Sequence, residues 1–167
     1  AIRILTNAAS YDRSGAIAKF KRLGLRVEDD EIITSREAAL KGLGRGHWGV
    51  IAADTDTLGD LPDTVTRLKD TPEEYDSVDQ FLFLSTADWT ASRQDLLAKS
   101  MQDRPRLLLI GNADLAAPRD EGFSVEPGHF GHQIADQFPD YVQFFGKPFP
   151  EVYDLLEQSL PSISPER

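Results

Sequence analysis

Short β-branched and apolar runs alternate along the chain with stretches of helical period, the pattern of an α/β fold. Ile2–Leu5 predicts a strand that ends at Thr6-Asn7, and Ala16, Ile17, Phe20 and Leu23 follow at helical spacing until Gly24 stops the helix. Ile32-Ile33 predicts a second strand; Thr34 and Glu37 stand at capping-box spacing and open a helix through Ala38, Ala39 and Leu40. Gly42, Gly44 and Gly46 then mark a hinge, where the composition changes. Beyond it strands are expected at Val50–Ala53, Phe81–Leu84 and Leu107–Ile110, with helical patterns near Asp63–Lys69 and Ala91–Met101, enough for a small α/β lobe of its own. A loop rich in Gly, Pro and charge runs from Asn112 to Gly128, followed by a helix through Ile134 and Phe138. A strand at Tyr141–Phe145 closes on Gly146-Lys147-Pro148, and a last helix carries Val152, Leu155, Leu156 and Leu160. The opening Ile2–Leu5 reads as a strand already under way, and Pro161–Pro165 as a connection onward, so both ends read as cut.

Composition narrows the function classes. With 18 basic and 28 acidic side chains the formal charge is −10, which disfavours nucleic acid and anionic membranes as partners. The absence of cysteine excludes disulfides, thiolate metal sites and a cysteine nucleophile, and it fits a reducing, cytoplasmic setting. The longest apolar runs, such as Leu107–Ile110, fall far short of the roughly 20 residues of a membrane-spanning helix.

Candidate chemistry gathers where predicted strands end. Thr6 and Asn7 sit at the carboxyl end of the first strand, where a hydroxyl and an amide before a helix can hold a phosphoryl group or serve as ordinary turn chemistry. Lys147, between Gly146 and Pro148 at the end of another strand, is placed either to neutralise a phosphate or to stand in solvent. His129 and His132 could share a helical face and a metal, but without a third ligand a packing role is the stronger reading. Gly42–Gly46 contains a G-x-G but follows a helix, so it reads as a hinge rather than a dinucleotide loop. Asp29-Asp30-Glu31 and Glu73-Glu74 read as solvated turns, and Trp48 and Trp89 as core.

Taken together, Leu5-Thr6-Asn7 and Phe145-Gly146-Lys147-Pro148-Phe149-Pro150 resemble the second and third motifs of the haloacid dehalogenase-like (HAD) phosphatases. Leu23-Gly24-Leu25, Asp30–Ser35, Gly111-Asn112-Ala113-Asp114 with Pro118 and Gly122, and Glu126-Pro127-Gly128 narrow the resemblance to subfamily IIA, the NagD-like and phosphoglycolate phosphatase-type enzymes. The resemblance implies a partial Rossmann-like HAD core at 1–43 and 141–167 and an inserted α/β cap of C2 type at 44–140. It also implies Mg²⁺, an aspartyl-phosphate intermediate, a small phosphorylated metabolite as substrate, and a homo-oligomer formed through the cap. Thr6 and Lys147 carry over as catalytic phosphate ligands, with Asn7 beside them.

Asn112 and Asp114 fall on the loop where this cap class selects substrate, with Ala113 in place of the usual proline; an Asx-type turn is the competing reading of the same residues. The first motif, Asp-x-Asp ahead of Thr6, and the acidic metal-binding motif after the last helix have no counterpart, so the chain is expected to be a truncated, inactive portion without metal ligands of its own. Val50–Leu58, with Asp54 and Asp56, imitates that first motif but follows the second one and carries Thr57 where the family has glycine, so it reads as an acidic turn. The rival function is a non-catalytic ligand-binding or interaction protein; a receiver-like domain is disfavoured because the first strand carries no acidic pocket.

Overall fold

A computed structural model describes residues 2–160. Its centre is a parallel sheet of five strands in the order β4-β3-β5-β6-β9, built from β3 (Trp48–Ile51), β4 (Val65–Arg67), β5 (Gln80–Phe83), β6 (Leu108–Ile110) and β9 (Val142–Phe144). Parallel strands buried on both faces read as unbroken apolar runs, which is what Phe81-Leu82-Phe83-Leu84 and Leu108-Leu109-Ile110 supply. Their side chains divide by strand alternation. Phe81, Phe83, Leu108, Ile110 and Phe144 face Tyr75, Leu97, Met101 and Ile134 from α3 (Pro72–Asp76), α4 (Ala91–Asp103) and α5 (Pro127–Ala135). Leu82, Leu84 and Leu109 face the opposite way, onto Ala38, Ala39 and Val152 from α2 (Ser35–Lys41) and α6 (Glu151–Ser159).

The amino-terminal segment pairs β1 (Ile4–Thr6) with β2 (Ile32–Thr34) in parallel, with Ile4 opposite Ile32 and Thr6 opposite Thr34. Between them lies α1 (Arg13–Arg22), capped by Asp12, whose carboxylate accepts the Gly15 N–H at 2.7 Å. The capping box expected at Thr34 is present: Thr34 Oγ1 accepts from the Glu37 N–H at 3.2 Å, and Glu37 Oε2 accepts from the Thr34 N–H at 2.9 Å. Both donors at the start of α2 are thereby satisfied.

Two expectations are corrected. Asp63–Lys69 contains no helix: Val65–Arg67 is the edge strand β4, paired with β3 at Trp48↔Val65, because the β-branched pair Val65-Thr66 suits a pleated surface. The Asn112–Gly128 loop contains an antiparallel hairpin, β7 (Ala116–Arg119) and β8 (Gly122–Val125), turned by Asp120-Glu121. β9 is hydrogen-bonded to β6 at Ile110↔Phe144, and one buried cluster joins Ile33, Val50, Leu82, Phe145 and Val152. The segment 161–165 lies outside the described residues. No helix among those described is long and apolar enough to cross a membrane.

Candidate functional site

All strands of the central sheet run the same way, so the loops at their carboxyl ends collect on one side, and the end of β1 meets them there. A cavity of about 600 Å³ opens at that meeting. Thr6 and Asn7 line one wall, Asn112 and Asp114 another, and the hairpin contributes Arg119 and Ser124. The structure thus brings together four of the residues picked out by sequence. Lys147 does not line the cavity; it is exposed beside it, with its Nζ donating to the Leu5 carbonyl at 3.1 Å.

Thr6 is half-buried, and its Oγ1 accepts the Ala8 N–H at 3.2 Å, which leaves the hydroxyl hydrogen available. Lys147 has donors beyond the one spent on Leu5. Asn7 differs. Its Nδ2 donates to Asp114 Oδ1 at 2.8 Å and to the Lys147 carbonyl at 3.0 Å, while its Oδ1 accepts the Lys147 N–H at 2.6 Å. A primary amide has two N–H donors, and both are committed. In this structure the Asn7 side chain therefore holds protein on every bond it makes.

Glycine is required where the Lys147 turn meets Asn7. Gly146 has φ +103°, and a Cβ there would lie 2.7 Å from Asn7 Oδ1 and 3.1 Å from Ser35 Cβ. The peptide bond that follows, Lys147–Pro148, is cis. On the other wall, a Cβ on Gly128 would lie 2.2 Å from the Ala113 carbonyl oxygen, so only glycine lets α5 start against the Asn112–Asp114 loop.

The Asx turn proposed for that loop is present, with the Asp114 N–H donating to Asn112 Oδ1 at 2.9 Å. It coexists with a place on the cavity wall, so the turn reading and the substrate-facing reading describe the same residues. Asn112 Nδ2 donates to Glu126 Oε2 at 3.2 Å. Glu126 is buried, and its other oxygen accepts from Arg119 Nη2 at 2.7 Å and from the Ser124 hydroxyl. A buried carboxylate is tolerated only when paired and hydrogen-bonded in this way.

The Arg119–Glu126 pair was not anticipated as part of a site. A signal for it exists in the hairpin itself, where alternation puts Ala117, Arg119 and Ser124 on the cavity side and Ala116, Pro118, Phe123 and Val125 on the outer side.

Asp54 and Asp56 do not line the cavity. Asp56, with a side chain 5% exposed, pairs with Arg36 Nη1 at 2.5 Å, and Asp60 binds the same guanidinium at 2.6 and 2.8 Å. Arg36 also donates to the Ala9 carbonyl at 3.1 Å, which ties the cavity loop after β1 to this cluster. Burial works against its charge, but the hydrogen bonds it donates to Asp60 and Asp56, with their negative charge, outweigh it and raise the Arg36 pKa above its ordinary value. Asp54 is exposed and pairs with Lys69 at 3.3 Å.

His132 stacks on Phe144 with centroids 4.4 Å apart, and His129 meets Gln133 at 3.0 Å. Among the described residues no three His, Asp or Glu side chains are grouped to hold a metal ion. The residues present do not by themselves fit a Mg²⁺ site.

Known structures were compared with this arrangement. A possible sugar phosphatase of the HAD superfamily from Cytophaga hutchinsonii aligns over 97% of this chain with a TM-score of 0.75 and 18% identity. The fold is that of the HAD-like phosphatases. A glycerol phosphate phosphatase from Mycobacterium tuberculosis, solved in complex with calcium, matches 94% of this chain at TM-score 0.71 and 18% identity. A p-nitrophenyl phosphatase from Archaeoglobus fulgidus matches 95% at TM-score 0.69 and 14% identity. This chain spans 62%, 47% and 60% of those three proteins respectively. No family model and no curated protein matches its sequence.

Proposed function

We propose that this chain is the phosphate-holding and leaving-group-holding portion of a HAD-type phosphatase that hydrolyses a small phosphomonoester. One observation carries the reading: Thr6 from β1 and Asn112 and Asp114 from the loop after β6 line one cavity, with Lys147 fixed at its margin. In this reading the Thr6 hydroxyl donates to a phosphoryl oxygen. The Lys147 ammonium offsets charge that builds on the phosphoryl group during transfer. Asn112 and Asp114 face the leaving group, Asp114 as an acceptor for a hydroxyl or a partner for an amine.

The cap in this proposal runs over residues 44–140, with 1–43 and 141–167 counted with the core. The complete reaction is read as Mg²⁺-dependent and as passing through an aspartyl phosphate. The 167 residues include no Asp-x-Asp ahead of Thr6. Self-association through the cap belongs to the same proposal; the outer hairpin face, where Phe123 is 81% exposed, supports it.

Calorimetric titration with inorganic phosphate tests the reading. Thr6→Ala and Lys147→Ala should each weaken binding by about tenfold, the worth of one charge-assisted hydrogen bond. Binding that neither substitution alters would place the phosphate elsewhere and remove the basis for a phosphatase.

A further inference from the structure

The three hydrogen bonds of Asn7 join parts of the chain that sequence keeps far apart: Asp114 lies 107 positions away and Lys147 lies 140. The residue is 7% exposed; one bond leads to the loop on the cavity wall and two lead to Lys147 beside the cavity. Toward the leaving group, Asn7 holds Asp114, whose backbone is fixed in turn by Asn112, itself held by Glu126. Toward the phosphate, it holds both the N–H and the carbonyl of Lys147. Gly146 leaves the amide no slack, since any side chain at 146 would strike it.

We infer that Asn7 is a positioning residue whose amide couples the substrate-selecting loop to the phosphate-holding lysine. Its functional meaning rests on the reading of Lys147 as a phosphate ligand; the coupling itself rests on the hydrogen bonds alone. A leaving group that engages Asp114 then changes the hold on Lys147, and phosphate at Lys147 changes the hold on Asp114 by the same factor, because coupling between sites is reciprocal.

Amide hydrogen exchange by NMR on the 167-residue chain reads this directly. Asp114→Ala removes one anchor of the Asn7 amide and should speed exchange at the Lys147 N–H roughly three- to tenfold, the range a single hydrogen bond supports. Leu109 and Ile110 in the central sheet should keep their protection. Asp114→Asn, which retains an acceptor in the same place, should restore most of the loss. Asn7→Asp adds a pH signature. The new carboxyl repels that of Asp114 when ionised and donates to it when protonated, so Lys147 protection, corrected for intrinsic exchange, should recover as pH falls through the carboxylate range.

Asn7→Ala should show no such recovery. The charged groups nearby are Lys147, Lys19 on the cavity wall and the Arg119–Glu126 pair behind Asn112; they are common to both Asn7 variants, so their titration cancels in the comparison. Unchanged protection in Asp114→Ala, or identical pH profiles for Asn7→Asp and Asn7→Ala, would overturn the coupling. Inorganic phosphate should raise protection at Lys147. If it does not while the Asp114 effect persists, the phosphate reading fails and the coupling stands.

Discussion

Asp56→Ala separates two accounts of the acidic turn after β3, one catalytic and one structural. The substitution leaves the Arg36 guanidinium, whose side chain is 1% exposed, with Asp60 and the Ala9 carbonyl as its remaining partners. Breaking one arm of a buried ion pair costs about 3–5 kcal/mol, and because Asp60 stays we take the lower end, about 3 kcal/mol. For a chain of this size each kcal/mol moves the melting temperature by about 2–4 °C, so a fall of roughly 6–12 °C is expected. Asp54→Ala supplies the control. Asp54 and Lys69 have side chains 56% and 48% exposed, and an exposed pair of this kind contributes about 0–1 kcal/mol. Thermal melting followed by circular dichroism measures both. Equal shifts in the two variants would contradict this, because the Asp56 pair is buried and the Asp54 pair is exposed.

Other consequences follow from the same geometry. The 167-residue chain with excess Mg²⁺ should not hydrolyse p-nitrophenyl phosphate, since no carboxylate nucleophile precedes Thr6; turnover abolished by Asp54→Asn would make the acidic turn catalytic after all. The Asp12 carboxyl is held below its ordinary value of 3.8, chiefly by the Gly15 N–H and then by Ser14. Its contribution to stability is therefore complete above that ordinary value and lost as pH falls through the lowered one. Asp12→Asn should flatten this part of an acid-denaturation curve, and an unchanged curve would show the cap to be inert. Gly146→Ala should cost about 1–3 kcal/mol from left-handed strain alone and disturb the Lys147 amide resonance; a stable variant with an unshifted resonance would contradict the close approach to Asn7.

Much of the architecture was legible because it rests on local patterns. Phe81–Leu84 and Leu108–Ile110 announce doubly buried strands, and Thr34 with Glu37 fixes a helix start within a few residues. Val65–Arg67 was not legible, since Val65 and Leu68 satisfy a helical interval and only pairing with Trp48 decides for a strand. The hairpin was hidden by Pro118 and by the charged turn at its tip, both of which read as loop.

At the site, Thr6, Asn112 and Asp114 could be found from their places at strand ends, which is a topological rule. The true employment of Asn7 could not, because its partners are chosen by tertiary contact across more than a hundred residues. The ion pair of Asp56 was hidden for a similar reason: its partner Arg36 lies on a helix that the acidic pattern does not mention.

The central claim is that an oxyanion is held between Thr6 and Lys147 at the margin of the cavity. A crystal structure of the chain soaked with tungstate, a phosphate mimic, tests it most directly. The account predicts tungstate density within about 3 Å of both Thr6 Oγ1 and Lys147 Nζ, with the Asn7 amide still bound to Asp114. Tungstate bound instead at Arg119 or Lys19, with the Thr6–Lys147 margin empty, would contradict it.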